Sequence, residues 1–170
     1  MAELTPRERL QPSLLDRLTD DEPDKKQEAR IRRVLSPRRF RELVRRDLAW
    51  LLNTGQLAAT VDLDEYPLVG ESVVNYGIPD LSGHSVSDLE FPAIERLIKD
   101  AIVAFEPRIL RRGLKVTIVH DKESSGNTIT FLIEGRLWAQ PLPEQLYMRT
   151  RMDLESGGVK VEDFAGRGSG

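Results

Sequence analysis

From Phe40 onward, apolar residues recur at spacings of three and four: Phe40, Leu43, Val44, Leu48, Leu51 and Leu52. That spacing puts them on one face of an amphipathic helix. Ser36-Pro37 marks its start, a capping hydroxyl followed by a proline suited to the first turn. Asn53-Thr54-Gly55 marks its end. A second helix is predicted from about Leu89 to Phe105, with Ser87 or Asp88 as cap and Pro92 near its first turn. Ile94, Leu97, Ile98, Ala101, Ile102 and Phe105 form its buried stripe. Glu106-Pro107-Arg108 stops it, because proline biases the preceding residue away from helix.

After that the period changes to two. Leu114, Val116 and Ile118 alternate with Lys115 and Thr117. Ser124-Ser125-Gly126-Asn127 reads as a hairpin turn. Ile129, Phe131, Ile133 and Leu137 alternate with Thr128, Thr130, Glu134 and Arg136. Beyond Pro141 and Pro143, Leu146, Met148 and Met152 alternate with Tyr147, Arg149 and Arg151, and Val159-Lys160-Val161 can add a short edge strand. Between the helices, Pro67, Gly70, Gly77, Pro79 and Gly83 break any period. Ser72 to Gly77 holds a short piece that is either extended or helical.

The expected fold is α+β: an antiparallel sheet of three to four strands packed against two main helices, with a peripheral N-terminal helical arm. Residues 1–28 form the arm, 29–164 a single domain and 165–170 a glycine-rich flexible tail. Within the arm, Ser13 can cap one short helix whose Leu14, Leu15 and Leu18 share a face. That face is either a partner-binding element or a helix packed back on its own domain.

Composition narrows the function classes. The chain has 170 residues, 31% of them charged, with a net charge of −3. Mean hydropathy is −0.38. That is room for one core and a charged exterior. No stretch approaches the ~20 apolar residues of a membrane span, and residues 1–7 lack the apolar region of a secretory signal. The absence of cysteine excludes disulfides, thiol nucleophiles and zinc-thiolate sites and fits the cytosol. Two histidines, His84 and His120, cannot make a histidine-rich metal site, and no cofactor is expected.

Charge is unevenly spread. An acidic run, Asp20-Asp21-Glu22-Pro23-Asp24, precedes an arginine-rich stretch of Arg30, Arg32, Arg33, Arg38, Arg39, Arg41, Arg45 and Arg46. The stretch is a solvated helix face, a docking face for an acidic protein, or a phosphate-binding face. Glu90, Glu95, Glu106 and Glu134 are the carboxylates a sugar hydrolase would draw on. A chain with 28 acids supplies such pairs by chance, and 6% aromatic content is poor for sugar stacking. Glu106-Pro107-Arg108 is either a helix stop with a local ion pair or a rigid charged fork for a polar partner.

Four segments occur together in order. They are Ser13-Leu14-Leu15-Asp16-Arg17-Leu18, Arg46-Asp47-Leu48 with Leu51-Leu52-Asn53-Thr54, Ser72 to Leu81, and Phe105-Glu106-Pro107-Arg108-Ile109. In this they resemble the TssE family, baseplate subunits of bacterial type VI secretion systems, within the phage-tail "gene 25-like lysozyme" group. The resemblance covers roughly Ser13 to Leu154. It implies a non-enzymatic assembly role in a cytoplasmic baseplate docked at the inner membrane. Implied partners are TssF/TssG-like wedge subunits, a TssK-like baseplate subunit and TssB/TssC-like sheath proteins, with the spike hub nearby. It also implies that Glu106, Pro107 and Arg108 bind the wedge core. A sheath partner adding a strand would need a free sheet edge, for which Gln145 to Asp153, with outward Arg149 and Arg151, and Val159 to Val161 are candidates. The competing readings are a peptidoglycan hydrolase and an arginine-rich adaptor for nucleic acid or an acidic partner.

Overall fold

The structure is a computed structural model and describes residues 13–19, 36–86, 89–119, 127–139 and 143–164. The acidic run, Arg30 to Arg33, the Ser87 and Asp88 caps, His120, most of the predicted hairpin turn and the tail lie outside the described residues.

Among the described residues, four α-helices, two 3-10 turns and four strands follow one another: α1 Leu14–Leu18, α2 Pro37–Leu52, a turn Leu57–Ala59, α3 Pro67–Gly70, a turn Val73–Asn75, α4 Phe91–Phe105, then β1 Lys115–Val119, β2 Thr128–Leu137, β3 Glu144–Asp153 and β4 Val159–Asp163. The Ser36 hydroxyl caps α2 by accepting the Arg39 N–H at 3.2 Å. Helix α4 starts at Phe91 with Glu90 as the preceding residue and no side-chain cap, two residues later than expected. Pro92 has no N–H to satisfy in that first turn, which lowers the need for a cap.

The sheet is antiparallel in the order β1-β2-β3-β4. Helices α2 and α4 cover one face. Val44, Leu48, Leu51 and Leu52 of α2 and Ile98 and Ile102 of α4 bury against Phe131, Ile133, Leu146 and Met148. Gly135 occupies an inward position of β2 where the alternation lacks a side chain, and Ile109 and Leu114 pack 3.4–3.5 Å from where its Cβ would stand. Alternation therefore fails at one residue because a neighbouring loop fills the space.

Strand β3 is an inner strand. Arg149 lies opposite Leu132 on one side and Glu162 on the other, and Arg151 opposite Thr130 and Lys160. The expectation that Gln145 to Asp153 offers a free edge is corrected here. β4, weak in sequence because it is only five residues long, takes the edge position. Arg149 and Arg151 do point to the face away from the helices. Arg149 stacks on Phe164 with 4.5 Å from guanidinium to ring centre, and Arg151 bonds Glu162 at 2.6 Å.

Both sheet edges carry side-chain bonds from the helices. The Phe164 N–H bonds the Tyr147 carbonyl and the Asp153 N–H bonds the Gly158 carbonyl. Alternation then turns the backbone groups of Val159 and Val161 away from β3. Asn53, just past α2, accepts the Val159 N–H at 2.9 Å and donates to the Val159 carbonyl at 2.8 Å. Arg45 donates to the Val161 carbonyl at 3.3 Å. At the other edge, Glu95 of α4 accepts the Ile118 N–H at 2.7 Å.

Candidate functional site

Helix α4 ends where Pro107 follows Glu106. The turn folds Arg108 back on Glu106, whose side chain is only 4% exposed. Glu106 Oε1 accepts both the Arg108 backbone N–H at 3.2 Å and Nε at 2.7 Å, and Oε2 accepts Nη2 at 2.5 Å. A bidentate guanidinium–carboxylate pair of this kind is planar and directional.

The pair is one end of a longer chain of alternating charges. Arg108 Nη2 also donates to Asp47 Oδ2 of α2. Asp47 Oδ1 accepts Arg46 Nε at 2.8 Å, and Arg46 Nη2 lies 2.7 Å from the same oxygen. Arg46 Nη2 lies 2.8 Å from Asp16 Oδ1 of α1. The Ser13 hydroxyl donates to Asp16 Oδ2 at 2.6 Å. Five charged groups thus join the end of α4, the middle of α2 and the arm helix. Burial pushes the Asp16 carboxyl up, but the Ser13 hydroxyl and the Arg46 guanidinium outweigh it and hold it below its ordinary value. Burial likewise disfavours the charged Arg108, and the Glu106 and Asp47 carboxylates more than reverse that.

Above this chain lies a cleft of about 460 Å³. Its walls are largely aromatic: Phe40, Trp50, Tyr76, Phe105 and Trp138, with Leu15 of the arm at the rim and Glu106 to Arg108 along one side. Trp50 and Trp138 are each about half exposed. Arg46 sits 4.7 Å from the centre of the Trp50 ring. Tyr76 packs edge-on against Phe105 with ring centres 5.3 Å apart. Burial, then the Asp47 and Glu106 carboxylates, raise the Tyr76 phenol above its ordinary value.

The segment Ser72 to Gly77 delivers Tyr76 to this wall. It is a 3-10 turn rather than a strand. Asn75 ties it down by accepting the Ala58 N–H and donating to the Gly70 carbonyl, both at 2.9 Å. Gly77, at φ +127°, lets the chain approach the end of α2 so closely that a Cβ would stand 2.2 Å from the Thr54 carbonyl oxygen. Each of the four segments singled out in sequence therefore contributes to one place.

The arm docks differently from its pattern. Its described contacts with the domain run through Ser13, Leu15 and Asp16, while Leu14 and Leu18 stay 70% and 75% exposed. Trp50 and Trp138 belong to the site and were not among the candidate residues. Trp50 falls off the apolar stripe of α2, and a large aromatic at a polar helical position was the available signal.

A family model described as baseplate wedge protein gp25 matches residues 38–142. The chain belongs to the gp25 family of baseplate wedge proteins. No curated protein and no solved structure matches it. Family membership supports a structural role in a baseplate, in contact with other baseplate components. Two of the four carboxylates considered for hydrolysis have other engagements here: Glu106 is held by Arg108 and Glu95 by the Ile118 amide. The arginines of α2 are partly consumed within the fold too. Arg41 pairs with Glu144 and lies 3.7 Å from Asp163, and Arg46 belongs to the ion chain. His84 is exposed in its loop, and no cluster of potential metal ligands occurs among the described residues. No described helix is long and apolar enough to cross a membrane.

Proposed function

We propose that this gp25-family chain is the TssE-type subunit of a type VI secretion baseplate, docking on a TssF/TssG-like wedge core through the aromatic cleft. The observation that carries the reading is the convergence of the four segments on one half-open cleft with a rigid charged floor. Half-exposed tryptophans beside a fixed arginine are the composition of an interface hot spot. Leu14, Leu15 and Leu18 would extend the apolar rim, with Leu14 and Leu18 available to the same partner.

The second contact is with a sheath subunit of the TssB/TssC kind, by strand addition at the β4 edge. Asn53 and Arg45 keep that edge strand in place, and an incoming strand would exchange with them. Arg149 and Arg151 would act from the adjoining outward face, not from the edge itself. The assembly would sit on the cytoplasmic side of the inner membrane with the TssK-like subunit and spike hub.

Pull-down of purified wedge-core subunits tests the cleft. Glu106→Ala and Arg108→Ala disturb a buried ion pair and therefore the fold, so Trp138→Ser and Leu15→Ser are the cleaner variants. Both are expected to lose wedge-core binding while melting like the parent; normal pull-down by both would sink the cleft assignment. Charge reversal at Arg149 and Arg151 is expected to impair sheath assembly in cells without unfolding. Unaltered assembly would remove that face from the contact.

A further inference from the structure

Between Arg46 and Arg96 the sequence contains no lysine or arginine, and it carries Asp62, Asp64, Glu65 and Glu71. All four carboxylates are exposed. None has an ion-pair partner among the described residues.

The same segment exposes a run of apolar side chains. Leu68 is 83% and Val73 81% exposed, with Val61, Tyr66 and Val74 also exposed. Single exposed apolar residues are ordinary, but five within Val61–Val74 make a concentrated patch. Local chain flexibility is not what leaves them outside. The Ser72 hydroxyl donates to the Val69 carbonyl at 2.9 Å and accepts the Val74 N–H at 3.2 Å. The Tyr66 carbonyl accepts the Val69 N–H at 2.9 Å, and Asn75 braces Ala58 and Gly70. The backbone is tied beneath, and the apolar groups are held outward. Little ordering entropy remains to be lost when something covers them.

We infer that the turns from Val61 to Val74 form a second docking surface, separate from the aromatic cleft, for a protein segment carrying apolar side chains flanked by lysine or arginine. The apolar centre supplies burial, and the unpaired acidic rim selects the sign of the partner's charge. An anionic lipid surface has the wrong sign for that rim.

The test uses the full chain and two designed amphipathic peptides with the same leucine pattern, one with lysine and one with glutamate on its polar face. Binding is read by fluorescence anisotropy at low and high salt. The lysine peptide is expected to bind, with affinity falling steeply as salt rises. Leu68→Ser with Val73→Ser should weaken it by about tenfold or more. Asp62→Asn, Asp64→Asn, Glu65→Gln and Glu71→Gln together should weaken it and flatten its salt dependence. The replaced side chains are exposed, so thermal melts should match the parent. Equal binding of the glutamate peptide, no binding of the lysine peptide, or indifference to both sets of substitutions would overturn the proposal. Self-association lost in the Leu68→Ser, Val73→Ser variant would overturn it in favour of a second copy of this chain. Binding to phosphatidylserine vesicles through the same residues would overturn it in favour of a membrane.

Discussion

Arg108 Nη2 bridges the carboxylates of Glu106 and Asp47, the second of them 61 residues away in the chain. One guanidinium therefore closes the turn after α4 and fastens it to α2. Glu106 depends on it for its charge balance, while Asp47 is balanced by Arg46 as well. The cleft wall and the helix packing share this single cation.

Replacing that cation should be costly. Arg108→Ala leaves Glu106, 4% exposed, without its counter-ion. A loss of about 3 kcal/mol in denaturant unfolding is expected, since breaking a buried pair costs more than the pair contributes. Glu106→Gln with Arg108→Met should recover part of it. A loss under about 1 kcal/mol for Arg108→Ala would place the pair among ordinary surface ion pairs.

The only two tryptophans of the chain, Trp50 and Trp138, both line the cleft. Intrinsic tryptophan emission is therefore a reporter of that one site. It should shift to the blue when wedge-core subunits cover the rings. Trp50→Phe and Trp138→Phe, measured singly, should each retain part of the shift. A spectrum unmoved by a bound partner would place the contact elsewhere.

Acid should release the arm. The Asp16 carboxyl is held below its ordinary value of 3.8 in the folded chain. Its contribution is present above that value and is lost as pH falls through the lower folded one. Trp50 emission or amide exchange in Leu14–Leu18, followed on titration below pH ~4, should report undocking. Asp16→Asn should undock the arm at neutral pH. An arm that stays protected in that variant would mean that Leu15 packing alone holds it.

Gly77 and Gly70 make a controlled comparison. Gly77→Ala places a methyl group 2.2 Å from the Thr54 carbonyl oxygen in a backbone region that disfavours side chains, whereas a Cβ at Gly70 meets nothing within 4 Å. Gly77→Ala should destabilise by about 3 kcal/mol or prevent folding. Gly70→Ala should be near neutral in the same melts. Similar melts for the two variants would contradict the close approach.

Asn53 serves as helix terminus and strand clamp together. Asn53→Ala removes both of its bonds to Val159. Amide exchange at Val159 should rise well before that of β2, with a global loss of about 1–2 kcal/mol. Protection unchanged at Val159 would show that the Asn53 bonds do not hold the edge strand.

Both long helices and three of the strands are legible locally, because periods of 3.6 and two survive in any tertiary setting. Ser36-Pro37 and Glu106-Pro107 bound helices for equally local reasons: a hydroxyl satisfies an open amide and a proline ring bars continuation. The convergence of Glu106-Pro107-Arg108 with Arg46-Asp47 is visible only as two motifs in order. No sequence spacing says that Arg108 reaches Asp47. Local pattern also misleads where packing intervenes. Leu14 and Leu18 look like a buried face, yet Asp16 makes the polar contact because a paired arginine waits on α2.

What the residues determine by themselves is the inventory: two amphipathic helices, alternating strands, a charged exterior and a proline-fixed Glu-Arg turn. What only the tertiary structure decides is adjacency. Strand order makes β3 an inner strand and moves Arg149 and Arg151 off the edge. Closure of the sheet against α2 and α4 brings five aromatic rings and the charges of Asp47, Glu106 and Arg108 from separate segments into one cleft. Local periodicity reports which face of an element is apolar. Which elements meet depends on long-range register and on where opposite charges can be buried together.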